Sequence, residues 1–290
     1  MPRASPNTAR GPLVKLSSRV PPDTGAPVIA RPSRRAILAC LSLTGLLASA
    51  PRLVHAQDNY EIQVYSAPTM DKGHTIFELH SNYTFDGRRT VANGVQPTHH
   101  AAHYTLEITH GFTDWFEVGA YAFITQQPAG GFNYVGSHIR PRIAAPESWH
   151  LPVGLSLSAE VGFQRRDFAE DTWNAEIRPI IDKQVGRAYF AFNPVLGKSF
   201  RGATSADGFA FEPSGAATFD VTKQVNVGAE YYGGLGTLRR LAPPNERDHL
   251  LFGVLNLNLS SAYEFNFGIG RGLGSTAEKS IVKLILGRRI

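Results

Sequence analysis

Apolar and polar residues alternate strictly through residues 101 to 125, AAHYTLEITHGFTDWFEVGAYAFIT. Ala102, Tyr104, Leu106 and Ile108 alternate with His103, Thr105, Glu107 and Thr109, and after a tight turn Phe116, Val118, Ala120, Ala122 and Ile124 alternate with Glu117, Gly119, Tyr121 and Phe123. A period of two predicts two strands joined as a hairpin. One face is apolar throughout, whereas the other carries a Glu on each strand, and an ionised carboxylate cannot sit in a dry core without a partner or water. Strands of about ten residues with apolar residues outward and polar residues inward fit a membrane barrel.

The alternation recurs near residues 73 to 86, 101 to 110, 115 to 125, 134 to 144, 152 to 164, 173 to 182, 187 to 199, 208 to 219, 224 to 235, 249 to 259, 263 to 272 and 279 to 289, which gives about twelve candidate strands. Connections alternate too. Those at 87 to 100, 126 to 133, 165 to 172, 200 to 207, 236 to 248 and 273 to 278 are long, polar or rich in Gly and Pro, and those between them are short. Outer-membrane barrels have this asymmetry, with short periplasmic turns and longer external loops, and an even strand number predicts both termini on the periplasmic side.

The short turns repeat locally. Thr113 to Ala120 (TDWFEVGA) is echoed by Thr222 to Ala229 (TKQVNVGA) and more loosely by Ser260 to Gly268. A repeated hairpin suits an up-and-down antiparallel barrel in which each strand pairs with its sequence neighbours. Aromatic residues gather near strand ends, with Phe112, Trp115, Trp149, Phe219 and Tyr263 toward the turns and Tyr83, Phe85, Phe123, Phe163 and Phe209 toward the loops, as two headgroup-level belts would.

Composition changes the picture once. The chain has a formal net charge of +5, but of its 29 basic and 24 acidic residues, residues 1 to 56 hold eight and one. Residues 57 to 290 are therefore slightly acidic, and nucleic-acid binding loses its support. Arg34 and Arg35 precede an apolar run, AILACLSLTGLLASA, that Pro51 and Arg52 end too soon for a spanning helix. Residues 1 to 56 thus read as a leader and signal peptide, cleaved after Ala56, by the general or the twin-arginine export route, with the barrel at 57 to 290. Cys40 lies in the leader, so the mature chain has no cysteine and neither disulfides nor thiolate metal sites.

GHTIFELHSNYTFDG at 73 to 87 and EITHGFTDWFEVGAY at 107 to 121 resemble the bacterial outer-membrane barrel proteins of the MetA-pathway of phenol degradation family, outer-membrane transporters. The resemblance spans most of the mature chain and implies a Gram-negative outer-membrane barrel, inserted in outer-membrane lipid by the barrel assembly machinery, that passes small and possibly organic solutes. It brings no residue-level site. The chain ends Gly-Arg-Arg-Ile, without the terminal aromatic usual in such barrels.

On the polar faces the candidate lumen-lining residues are Glu78, His80, Asn82, His103, Glu107, Glu117, His138, Arg140, Arg142, Glu160, Glu176, Arg178, Glu212, Glu230, Glu264 and Lys283, with Asn174, Asp182, Asn226, Asn256 and Asn266 among them. One reading makes them a hydrated ion-pair network that stiffens the wall, and another makes them a channel lining that sets charge preference; the two are compatible. Twelve strands lie between filled small barrels and wide porins, which predicts a narrow or partly blocked passage. A passive channel for small solutes is the leading function, with a plugged structural or adhesive barrel acting through its loops as the alternative, and a soluble periplasmic ligand-binding barrel less favoured because of the inward Glu series.

Enzyme chemistry finds little footing. No His has a Ser two residues on, as a barrel lipase dyad on one strand face would need. His99 and His103 share a face but lack an acidic neighbour at fitting spacing, so no metal ligands or cofactor are assigned. Gly268, Gly270 and Gly272 lie two apart with no following helix, which suits a bent barrel wall and not a phosphate loop.

Overall fold

A computed structural model of the chain describes residues 59 to 274 and 278 to 290. The leader and its cleavage point lie outside the described residues. Twelve antiparallel strands close into one barrel: β1 (Thr75–Asp86), β2 (Ala102–Thr113), β3 (Phe116–Gln126), β4 (Phe132–Ala144), β5 (Gly154–Gln164), β6 (Trp173–Val185), β7 (Ala188–Asn193, continued by Leu196–Arg201), β8 (Ala210–Phe211, continued by Ser214–Asp220), β9 (Val225–Gly234, continued by Gly236–Thr237), β10 (Asp248–Leu257), β11 (Tyr263–Gly274) and β12 (Ser280–Arg289). A short strand, Arg240–Leu241, extends β9 as a hairpin beyond the rim. Each strand pairs with its sequence neighbours, and β12 pairs with β1 from Ile76↔Arg289 to Asp86↔Ser280. Closure removes the unpaired edges of an open sheet. Among the described residues no helix is long and apolar enough to cross a membrane.

The breaks have local causes. Pro194 divides β7 and Pro213 divides β8, because proline cannot donate to a ladder. The link after β4 differs from the alternation expected of long and short connections. It runs nine residues, 145 to 153, with a 3-10 turn at Glu147–Trp149, whereas the loop after β3 has only five, 127 to 131.

Outward positions form the apolar surface that the pattern predicted: Leu106, Ile108, Ile139, Leu157, Ile177, Phe192 and Leu251 are exposed. Aromatics cluster near both rims, with Phe112, Trp115, Trp149, Phe219 and Tyr263 toward the turns and Phe85, Phe132, Trp173, Phe200 and Phe209 toward the loops. Phe123 is a correction to that belt. It points inward and is buried beside Tyr60, 5.4 Å between ring centroids, because its parity on β3 is that of Glu117 and Tyr121.

The inside is packed. Residues 59 to 72, which form no regular secondary structure, run through the lumen before β1 starts. Tyr60, Ile62, Tyr65 and Ala67 of this segment are buried in three apolar clusters on the inner wall, against Tyr121 and Phe123, against Tyr232 and Phe252, and against Ile180. Gly270 leaves room for Phe252, since a Cβ there would lie 2.4 Å from its ring.

Candidate functional site

The site is the barrel interior with its threaded segment, and its geometry follows from strand parity and register. β3 and β4 pair with Glu117 opposite Arg142 and Gly119 opposite Arg140, so opposite charges face each other in the first pair and the glycine of the second leaves room for the Arg140 side chain. Arg140 is the hub. Its guanidinium pairs with Glu107 Oε1 at 2.9 Å and Glu117 Oε1 at 3.0 Å, and its Nε donates to the Tyr121 hydroxyl. Arg142 Nε reaches Glu117 Oε1 at 2.8 Å, and Arg178 Nε reaches Glu176 Oε1 at 2.6 Å. Lys283 pairs with Glu230, and His138 Nδ1 meets Glu160 Oε1. Buried charges at this depth require such partners.

Wall side chains hold the segment mostly by its main chain. Asn82 donates to Asn59 O at 2.8 Å, Thr105 to Tyr60 O, Lys283 to Ile62 O at 3.0 Å and Arg178 to Gln63 O at 3.4 Å. Asn193 treats Tyr65 as a neighbouring strand would, accepting from its N–H at 2.8 Å and donating to its carbonyl at 3.1 Å. Lower down, Arg142 donates to Ser66 O and Pro68 O, while Asp182 and Glu117 accept from Ala67 N and Met70 N. The segment therefore passes from Asn82, near the loop end of β1, to Gly111, near the turn end of β2, where a Cβ would lie 2.3 Å from Met70 O and Asp71 O. Ile290 exchanges backbone hydrogen bonds with Thr75 at the turn end, whereas Asn59, the first described residue, lies toward the loop end.

Tyr65 is the main side-chain anchor. The guanidinium carbons of Arg178, Arg140 and Arg142 lie 4.6, 4.9 and 5.8 Å from its ring centroid, and its hydroxyl donates to Glu61 Oε1 at 2.6 Å.

Of the residues singled out by pattern, Glu78, His80, Asn82, His103, Glu107, Glu117, Arg140, Arg142, Glu160, Arg178, Glu230 and Lys283 are buried on the inner face. The His138 side chain is buried against Glu160, and the Glu176 and Glu264 side chains are about a quarter and a third exposed, at 24% and 32%. Glu212 is half-buried, with Oε2 near Gly197. His103 packs edge-on against Tyr60, 5.0 Å between centroids, while His99 turns to His100 and Asp86 in the loop. Pattern reading missed Tyr60, Glu61, Ile62 and Tyr65. Their stretch, NYEIQVYSAPTM, shows apolar and polar alternation only briefly before Pro68, so nothing in it distinguished a lumen segment from a linker.

The sequence matches no family model and no curated protein. Among solved structures, the fold is similar to a COG4313 outer membrane channel from Pseudomonas putida F1, with a TM-score of 0.52 and 12% identity over 79% of this chain and 100% of that one. KdgM porin in complex with disordered oligogalacturonate and NanC porin are more distant, with TM-scores of 0.47 and 0.48 at 9% identity over 73% of this chain and 98% and 97% of theirs. At this identity the likeness shows the fold alone, a closed antiparallel β-barrel.

Proposed function

We propose that this chain is an outer-membrane channel for small solutes whose passage is closed, in the conformation described, by its own residues 59 to 72. The observation that supports this reading is the way the segment is held: polar wall groups bind its main chain along the whole lumen and leave a charged wall behind if it withdraws. The inner-face residues named above would then line the passage. The resemblance to the MetA-pathway family suits small organic solutes, and the apolar exterior suits outer-membrane lipid, with assembly by the barrel machinery, Ile290 on the periplasmic side and signal cleavage before Gln57. The chemistry asked of the wall is selection by size and charge, not catalysis.

The density of main-chain anchors also favours a second reading, a permanently plugged barrel that works through its outer loops. Conductance separates the two. The chain from Gln57 and a variant lacking residues 59 to 70 are refolded in detergent and added to a planar bilayer. Brief, rare steps from the first and sustained salt-dependent steps from the second are expected. A folded, inserted deletion variant that carries no current would sink the channel reading.

A further inference from the structure

We propose that Glu78, His80 and Glu107 form a binding site for one divalent transition-metal cation of the zinc type on the inner wall. Glu78 and His80 sit two apart on β1 and so share its inward face, and register places Glu107 of β2 directly opposite Glu78. One ligand atom from each lies within 4.8 Å of the others, and all three residues are buried.

Two observations point to a ligand. The Glu78 carboxylate has neither a hydrogen bond nor an ion pair among the described residues, although it lies beside Glu107 and, across Gly287, beside Glu264. A bare buried carboxylate next to like charges is costly. His80 is 1% exposed, its Nδ1 has no hydrogen-bond partner, and its Nε2 is paired with Glu107 Oε2. His80 Nε2 and Glu107 Oε2 stand 3.3 Å apart. Zinc bonds of about 2.0–2.1 Å in a tetrahedron separate neighbouring donors by roughly 3.4 Å, so this spacing suits two ligands of one ion.

The surroundings orient the donors. Glu107 Oε1 is occupied by Arg140 at 2.9 Å and Thr109 at 2.7 Å, which turns Oε2 toward His80 as outer-shell partners do at metal sites. One imidazole and two carboxylates form a mixed nitrogen and oxygen donor set that favours zinc-type dications over calcium or magnesium, which take oxygen alone. One ion would be shared by His80 Nε2, Glu107 Oε2 and the Glu78 carboxylate, and its charge would offset that of Glu78.

The test is direct binding, which reads the ion and not the current, so it can fail while the channel reading stands. The refolded mature chain is stripped with EDTA and titrated with Zn²⁺ against a competing chromophoric chelator, and Co²⁺ is added separately to read visible ligand-field bands. One equivalent bound is expected, with Glu78→Gln and His80→Gln each weakening it at least about tenfold, and Glu147→Gln, in the exposed link after β4, leaving it unchanged. Folding of each variant is checked by heat-modifiable gel mobility. Wild-type protein that leaves all the Zn²⁺ with the chelator overturns the site whatever the variants do, as does equal binding by folded Glu78→Gln and His80→Gln.

Discussion

The Tyr65 ring of the lumen segment lies 4.6 Å from the guanidinium carbon of Arg178 on β6, and Arg140 and Arg142 of β4 close on the same ring from 4.9 and 5.8 Å. Desolvated cation–π contacts contribute about 2 kcal/mol or more each, and about 1.4 kcal/mol is a tenfold change in an equilibrium. Tyr65→Ala is expected to raise the open fraction of the channel at least about tenfold, read as open probability in single-channel records. Tyr65→Phe keeps the ring and loses the hydroxyl contacts to Glu61 and Tyr121, so its effect should be smaller. Equal open probability in Tyr65→Ala and the parent would show that the main-chain bonds alone hold the segment.

Gly111 lets the segment leave the lumen at the turn end. A Cβ there would lie 2.3 Å from two carbonyl oxygens, which cannot move without shifting the backbone at Met70 and Asp71. Gly111→Val should leave the barrel closed but displace this exit, so trypsin should cut faster after the exposed Lys72. N-terminal sequencing of the product during limited proteolysis measures it.

Leu106 points outward on β2, opposite Leu79 and Ala122 and half exposed to the surroundings of the barrel. An arginine on a lipid face costs about 2–4 kcal/mol near the bilayer midplane. Leu106→Arg is therefore expected to lower stability by about that amount in denaturant unfolding from lipid vesicles. A loss below about 0.5 kcal/mol would mean that this face does not meet lipid.

Of the inner-face groups named above, nine carboxylates (Glu78, Glu107, Glu117, Glu160, Glu176, Asp182, Glu212, Glu230, Glu264) face four cations (Arg140, Arg142, Arg178, Lys283). Rings of carboxylate favour cations. The variant lacking residues 59 to 70 should conduct potassium in preference to chloride, with the reversal potential in a salt gradient displaced accordingly. Chloride preference would show that the arginine group around Tyr65 governs the open pore.

The sequence by itself determined the strand count, the pairing order and the two faces. A period of two with lipid on one side leaves no freedom, because a one-residue slip would put Glu107 in the bilayer and Leu106 in the lumen. It also identified the inner charges, since Glu117, Arg140 and Arg178 stand at inward parity. Only the tertiary structure decided which of them meet. Glu117 reaches Arg142 and Glu78 faces Glu107 through cross-strand register, and local alternation is the same for every even offset between neighbouring strands. It decided, too, that Phe123 packs inside against Tyr60 instead of joining a belt, and that residues 59 to 72 fill the lumen. That segment is held by wall groups reaching its peptide bonds. A main chain presents the same N–H and C=O whatever its side chains, so the contacts that close the barrel leave little trace in the residues they close it with.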